Sequence, residues 1–493
     1  MDAYGRWRMP PPSYADESYS HPAENPFQLA LQNPLSTFGL EVDTASYAIV
    51  RRFINENRRP PVDAVRVEEM INYFTYDYPA PAGDDPLAVH LEVAGCPWNS
   101  AHRLVRVGLK AREIAHATRP ACNLVFLIDV SGSMSPENKL PLLRQGLLML
   151  TDRLRGDDSV GIVTYAGGAG VALPPTSGGQ RQRIRDTLTA LQAGGSTHGS
   201  AGIRRAYELA RQNFREDGVN RVILCTDGDF NVGVTSQSDL TRLIENEAKS
   251  GIFLTVLGFG VGNYKDTTME ALADRGNGQY AYIDNLNEAH KVLVNEITST
   301  LVTVAKDVKL QVEFNPAKVQ AYRLIGYENR LLRAEDFNDD RKDAGEIGAG
   351  HSVTALYEIV PPGVAFVASR VDPLKYQQPA AADPAFEGPS KRLTDSPEML
   401  TAKLRWKAPD AETSVRREFT LVDTGRRYGQ ASADFKFAAA VAAYGMILTD
   451  SPNRGTTSLD AVMELAGEGL GPDRDGYRAD FLELVRRTKA LSW

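Results

Sequence analysis

The sequence predicts an α/β domain with a mostly parallel sheet, inserted in antiparallel β-structure of sandwich type and followed by a helical C-terminal region. Three observations predict it. Between residues 120 and 305 the compact apolar runs NLVFLID, VGIVTYAG, RVILCTD, FLTVLGFG and GQYAYID are mostly separated by helix-like segments. Continuous apolar strands alternating with helices imply a parallel sheet covered on both faces. On either side, LAVHLEVAG and RLVRVGLKAR before this block, and VKLQVEF, VQAYRLI, SVTALYEIV, LTAKLRW and SVRREFTLV after it, alternate with period two, the mark of half-buried strands. The chain closes with the helical patterns SADFKFAAAVAAYGMIL, SLDAVMELAGEG and DGYRADFLELVRRTKAL.

Taken in order, residues 1–34 are rich in Pro, Ser, Tyr and charge without periodicity and read as a disordered arm. An N-terminal helical and β region is expected over 35–117. In it LSTFGLEVDTASYAIVRRFI gives a short strand leading into a helix capped by Asp43 or Thr44, and VDAVRVEEMINYF, Val62 to Phe74, gives a second amphipathic helix. The α/β block occupies 118–305, with helices in KLPLLRQGLLMLTDRL, RQRIRDTLTALQ, SAGIRRAYELARQNF and DLTRLIENEAKSG, and a closing helix in NEAHKVLVNEITSTLVTVA. Isolated hairpins are marginal in water. The β-rich region 306–430 is therefore expected to pair with 75–117 around the inserted block, and 431–493 to form C-terminal helices.

Composition excludes several classes. Of 493 residues, 42% are apolar and 24% charged, ordinary for a globular protein, and the length suggests more than one domain. The balance of 55 basic and 63 acidic residues, with no Lys/Arg block, argues against nucleic acid as a partner. Cys96, Cys122 and Cys225 are far apart, lack a CxxC pairing and read as buried free thiols. The longest apolar run, Phe437 to Leu448, is too short to span a bilayer and predicts a core helix rather than a transmembrane one. The first residues have no apolar core of a signal peptide. Either the protein is cytoplasmic or a targeting segment lay ahead of residue 1.

The chemistry concentrates in FLIDVSGSM, Phe126 to Met134, where an apolar strand runs into Asp129 and then Ser131 and Ser133 at alternate positions. Open α/β sheets bind ligands beyond the carboxyl ends of their strands, where strand order reverses. A tight Asp-x-Ser-x-Ser loop turns three oxygen-bearing side chains toward one point, with Gly132 expected to supply unusual backbone angles. GGSTHGSAG, Gly194 to Gly202, adds Thr197 before a helix, and RVILCTDGD ends a second apolar strand in Asp227. Carboxylates and hydroxyls without imidazole or thiolate suit a hard cation, Mg²⁺ or Mn²⁺ above all. An ordinary strand-end cap is the plainer account of Asp129, Ser131 and Ser133; the company of Thr197 and Asp227 favours the metal.

These three pieces, Asp129-Val-Ser131-Gly-Ser133, then Thr197, then Asp227, resemble in order the metal-ion-dependent adhesion site of von Willebrand factor type A domains. The resemblance covers residues 120 to 305 and implies a Rossmann-like, six-stranded, mostly parallel sheet between helices. Ser131, Ser133 and Thr197 would bind the metal, Mg²⁺ or else Mn²⁺ or Ca²⁺, with Asp129 and Asp227 contacting it directly or through water. The flanking segments LSTFGLEVDTASYAIVRRFI, PPVDAVRVEEMINYF, KDVKLQVEFNPAKVQAYRLIGYENR and YRADFLELV are similar to the bacterial YfbK-like von Willebrand-A group. Many relatives there carry a lipoprotein-type signal before a Pro-rich stretch. This implies an extracytoplasmic, membrane-tethered protein whose lipid anchor sits on a removed amino terminus.

The resemblance implies metal-dependent protein binding in adhesion or scaffolding, with an acidic side chain of a protein partner completing the coordination. An assembly or chaperone partner of an AAA-type ATPase, or a structural component of the cell envelope, are the alternatives. No enzyme is expected. A haloacid-dehalogenase pattern would need a second Asp where Ser131 stands, no P-loop is present, and none of the 7 histidines lies in the core motifs to act as a base. His198 and Asp229, beside the motifs, read as loop residues. DFNDDRKDAGE, Asp336 to Glu346, lacks the Gly and Glu of a calcium loop, and PDRDGYRAD reads as a turn that caps a helix.

Overall fold

The computed structural model describes residues 17–19, 23–40, 43–195, 199–228, 237–262, 264–366 and 395–491. A six-stranded sheet runs in the order Tyr280–Ile283, Ile252–Phe259, Val219–Thr226, Cys122–Asp129, Ser159–Tyr165 and Ala169–Ser177. Every neighbouring pair is parallel except the last. All of Cys122–Asp129 is buried. Leu124, Phe126 and Ile128 join one core with Leu143, Leu147 and Ile184, and Val125 and Leu127 join the other with Ile203, Ala206 and Tyr207. A strand with a core on each face has no polar alternation to show.

The residues themselves point to five of these strands. The sixth, Ala169–Ser177, is mostly exposed and contains Pro174 and Pro175. Prolines are tolerated there because the strand lies at the sheet edge.

The strands on either side of the inserted block build two antiparallel sheets. One holds Gln28–Leu29, Ala321–Ile325, Ser352–Val360, Arg103–Ala111 and Leu87–Gly95. The other holds Gly345–Gly348, Thr303–Phe314, Glu398–Lys407 and Val415–Val422, with Leu35–Gly39 also pairing to Thr303–Phe314. Val105, Leu324 and Tyr357 of the first sheet share a core with Leu310, Val312, Leu404 and Trp406 of the second. Their chain neighbours Leu104, Ile325 and Leu356 point the other way, into a core with the C-terminal helices Ala433–Leu448 and Tyr477–Ala490. Ala433–Leu448 is buried almost all round, as a helix without a polar face must be. No helix among the described residues is long and apolar enough to cross a membrane.

Four local expectations are corrected. Residues 23–34 are docked at several points: Gln28–Leu29 adds to a sheet edge, and the Asn25 side-chain amide donates to the Gly326 carbonyl at 2.8 Å. Glu17 also pairs with Arg52 at 2.8 Å. Such docking through ion pairs and backbone bonds leaves no apolar period to read. Neither proposed residue caps the first helix, Ala45–Asn55. Thr44 is at the N-cap without a side-chain bond, while Asp43 accepts the Tyr280 N–H at 3.0 Å and pairs with Arg330 at 3.1 Å.

The helix expected over Val62 to Phe74 is a single turn, Val62–Ala64, and a short helix, Val67–Asn72. It breaks at Arg66, whose backbone N–H goes to Ser46 Oγ at 2.8 Å and whose guanidinium binds Glu69 and Asp266. The closing helix is likewise three pieces, Leu286–His290, a wider π-type turn Lys291–Asn295, and Ile297–Leu301. It ends before residue 305 because Thr303–Phe314 is already paired with Gly345–Gly348.

Candidate metal centre

The chain runs from Cys122–Asp129 to one side of the sheet, then crosses back to Val219–Thr226 on the other. Strand order therefore reverses between these two neighbours, and their carboxyl ends frame the crevice expected of an open α/β sheet. The register sets Ile128 against Cys225, so Asp129 and Asp227 leave adjacent strands one residue apart in register. Both are buried, at 0% and 3% exposure.

Asp129 Oδ1 accepts the Ser131 N–H at 2.8 Å. Oδ2 is buried without a well-aligned donor, with the Tyr165 hydroxyl as a neighbour. Burial pushes the Asp129 carboxyl up to about 6; the Ser131 hydrogen bonds pull it down, the charge of Asp227 pushes it further up, and the Tyr165 hydroxyl pulls it down. Ser131 precedes a single turn, Gly132–Met134, which brings its Oγ to 2.9 Å from Ser133 Oγ. Ser131 is buried and Ser133 exposed, so the pair spans the floor and mouth of the crevice. Gly132 is not among the left-handed residues, contrary to expectation. Its N–H donates to the Gly195 carbonyl at 3.0 Å, and the Gly194 N–H donates to Val130 at 2.7 Å. The loop carrying Thr197 is thus fastened to the Asp129 loop just before Thr197, which itself lies outside the described residues, as do His198 and Asp229.

Asp227 Oδ2 accepts from Lys139 Nζ at 2.8 Å, and that lysine is buried. Lys139 is the site residue the sequence reading missed. In KLPLLRQG it looks like the polar start of a helix, and only its spatial pairing with a residue 88 positions away reveals its place.

The structure therefore gathers Asp129, Ser131, Ser133 and Asp227 at one rim. Among the described residues no group of three His, Cys, Asp or Glu side chains could hold a metal ion, so any centre here depends on the hydroxyls. The donor set fits a hard cation: every available atom is oxygen, and the buried Oδ2 of Asp129 has lone pairs that no aligned donor uses. The other acidic stretches are spent otherwise. Asp339 pairs with Arg341, and Asp340 with Arg405 and Ser414. The Asp473 carboxylate accepts the N–H groups of Arg478 and Ala479.

Three family models match parts of the chain. A family model described as von Willebrand factor type A domain matches residues 124–229, one described as von Willebrand factor matches 13–106, and one described as uncharacterized protein YfbK, C-terminal, matches 299–491. The uncharacterized protein YfbK of Escherichia coli is 43% identical over 472 residues, covering 94% of this chain and 79% of that protein. Inter-alpha-trypsin inhibitor heavy chain H3 of Homo sapiens is 27% identical over 172 residues, covering 33% of this chain and 19% of its own length. Among solved structures, a von Willebrand factor type A protein from Catenulispora acidiphila aligns with a TM-score of 0.40 at 15% identity, covering 81% of this chain and 90% of that one. The chain belongs to the bacterial YfbK family, which is built around a von Willebrand factor type A domain.

Proposed function

We propose that this chain is a non-catalytic, metal-dependent protein-binding module. Its divalent cation, Mg²⁺ or Mn²⁺, would be held by Asp129, Ser131, Ser133, Thr197 and Asp227. The observation that carries this is the buried Asp129 Oδ2, without an aligned donor, beside two hydroxyls at the switch point of a parallel sheet. When bound, the cation would offer open coordination to a carboxylate oxygen of a partner.

The protein's own part is geometric. Asp129 is fixed by the Ser131 amide, Ser131 and Ser133 are held together, and the loop before Thr197 is fastened at Gly194 and Gly195. In this reading the site anchors an acidic side chain in an adhesion or scaffold contact. The protein would work outside the cytoplasm, tethered through a lipid anchor ahead of residue 1, a placement supported by the likeness of its opening segments to the YfbK-like group.

The test is affinity capture from native extract in Mg²⁺, repeated with Asp129→Ala and with chelator. A partner lost in both controls supports the reading. A partner retained in both would contradict it and point to the β-rich region.

A further inference from the structure

Lys139 occupies an expensive position. It precedes the helix Leu140–Thr151 and makes no capping bond, where a cation meets the positive end of the helix dipole and Ser or Asp would be favoured. Its stem fills space beside Gly260, where an added Cβ would lie 2.2 Å from Lys139 Cε and 2.5 Å from Cγ. Gly260 itself has φ +78°, a conformation that side chains disfavour. A buried amine, a cation at a helix N-terminus and a left-handed glycine together deliver one ammonium to Asp227 Oδ2. A buried ion pair alone is weak ground for stability, because desolvation offsets its attraction.

We infer that Lys139 is a charge-setting, positioning residue that weakens the site for a bare divalent cation and selects a cation arriving together with an anionic carboxylate ligand. This rests on the metal-binding reading above. Asp129 and Asp227 balance a dication and the serines are neutral, so the ammonium leaves a surplus positive charge. A carboxylate from a partner removes that surplus. Without the carboxylate, Lys139 and the cation compete for the same oxygen of Asp227.

Mn²⁺ binding followed by electron paramagnetic resonance, with and without acetate as the carboxylate probe, tests this on the full chain. Lys139→Met and Lys139→Gln should each bind Mn²⁺ roughly tenfold tighter, as expected when a like charge leaves a partly desolvated site. Acetate should tighten Mn²⁺ binding to the unaltered protein and lose most of that effect in both variants. Removing a merely structural lysine would not strengthen metal binding. Equal or weaker Mn²⁺ affinity with an unchanged acetate response would overturn the inference. So would loss of fold in both variants by circular dichroism, which would make Lys139 a stability residue. Mn²⁺ binding to the unaltered protein that is absent, or indifferent to Asp129→Ala, is a separate failure: it removes the metal centre itself.

Discussion

Two acidic clusters lie at opposite fates in this molecule. Where the α/β unit meets the β-rich region, Asp43, Glu69, Asp266, Glu270 and Asp274 crowd around Arg66 and Arg330. Arg66 binds Glu69 and, at 2.6 Å, Asp266, and Arg330 reaches Asp43, Glu270 and Asp274 within 3.1 Å. At the carboxyl edge of the parallel sheet, Asp129 and Asp227 share a rim with two serines and one lysine, and Asp129 keeps a buried oxygen that no aligned donor meets. The first cluster is closed by arginines and ties elements together. The second pairs Asp227 with Lys139 and leaves one oxygen of Asp129 without an aligned donor. An acidic run in a sequence says little until its partners are counted, and an oxygen without an aligned donor is what sets the proposed binding site apart from a structural joint.

The largest stability effect belongs to the closed cluster. Arg66→Met would leave Glu69 and Asp266 as uncompensated buried carboxylates, and breaking such a pair costs about 3–5 kcal/mol. Thermal or urea denaturation should show that loss; a change under about 1 kcal/mol, the size of a surface substitution, would deny the cluster its structural role.

A smaller effect follows pH. Burial, with Glu328 and Glu69 adding repulsion, pushes Glu68 from its ordinary 4.5 up to about 8. Glu270 is pushed to about 8 by burial as well, with Arg66 opposing. A carboxyl whose folded pKa is raised holds its proton while the unfolded chain has lost it, so stability falls as pH rises from about 5 to about 8 and then levels. The melting temperature should trace that decline, and Glu68→Gln, which replaces an oxygen without a hydrogen-bond donor, should make it shallower, leaving the share of Glu270. An equally steep decline in the variant would contradict this account.

The smallest stability effect should come from the open rim. Asp129→Asn keeps an acceptor for the Ser131 amide and removes a buried charge, so without divalent ions its melting temperature should be unchanged or slightly raised. A large drop would show that Asp129 is a structural residue like Asp266.

The open rim is legible in the sequence and the closed cluster is not, for physical reasons. The central strands announce themselves because both faces of Cys122–Asp129 are buried, and Asp129 and Asp227 stand out as carboxylates ending such runs. Ala169–Ser177 does not, since an edge strand needs no apolar alternation and can carry prolines. The break at Arg66 and the docking of residues 23–34 depend on partners hundreds of positions away, which local periodicity does not record. Lys139 is hidden for the same reason: its role is set by Asp227 and by the space at Gly260.

Titration of the full chain with Mn²⁺ by calorimetry, alongside Asp129→Ala and the Ser131→Ala/Ser133→Ala double variant, tests the central claim most directly. The account predicts a saturable site in the unaltered protein that both variants lose while remaining folded. Mn²⁺ binding that persists unchanged in both, or no binding by the unaltered protein, would contradict it.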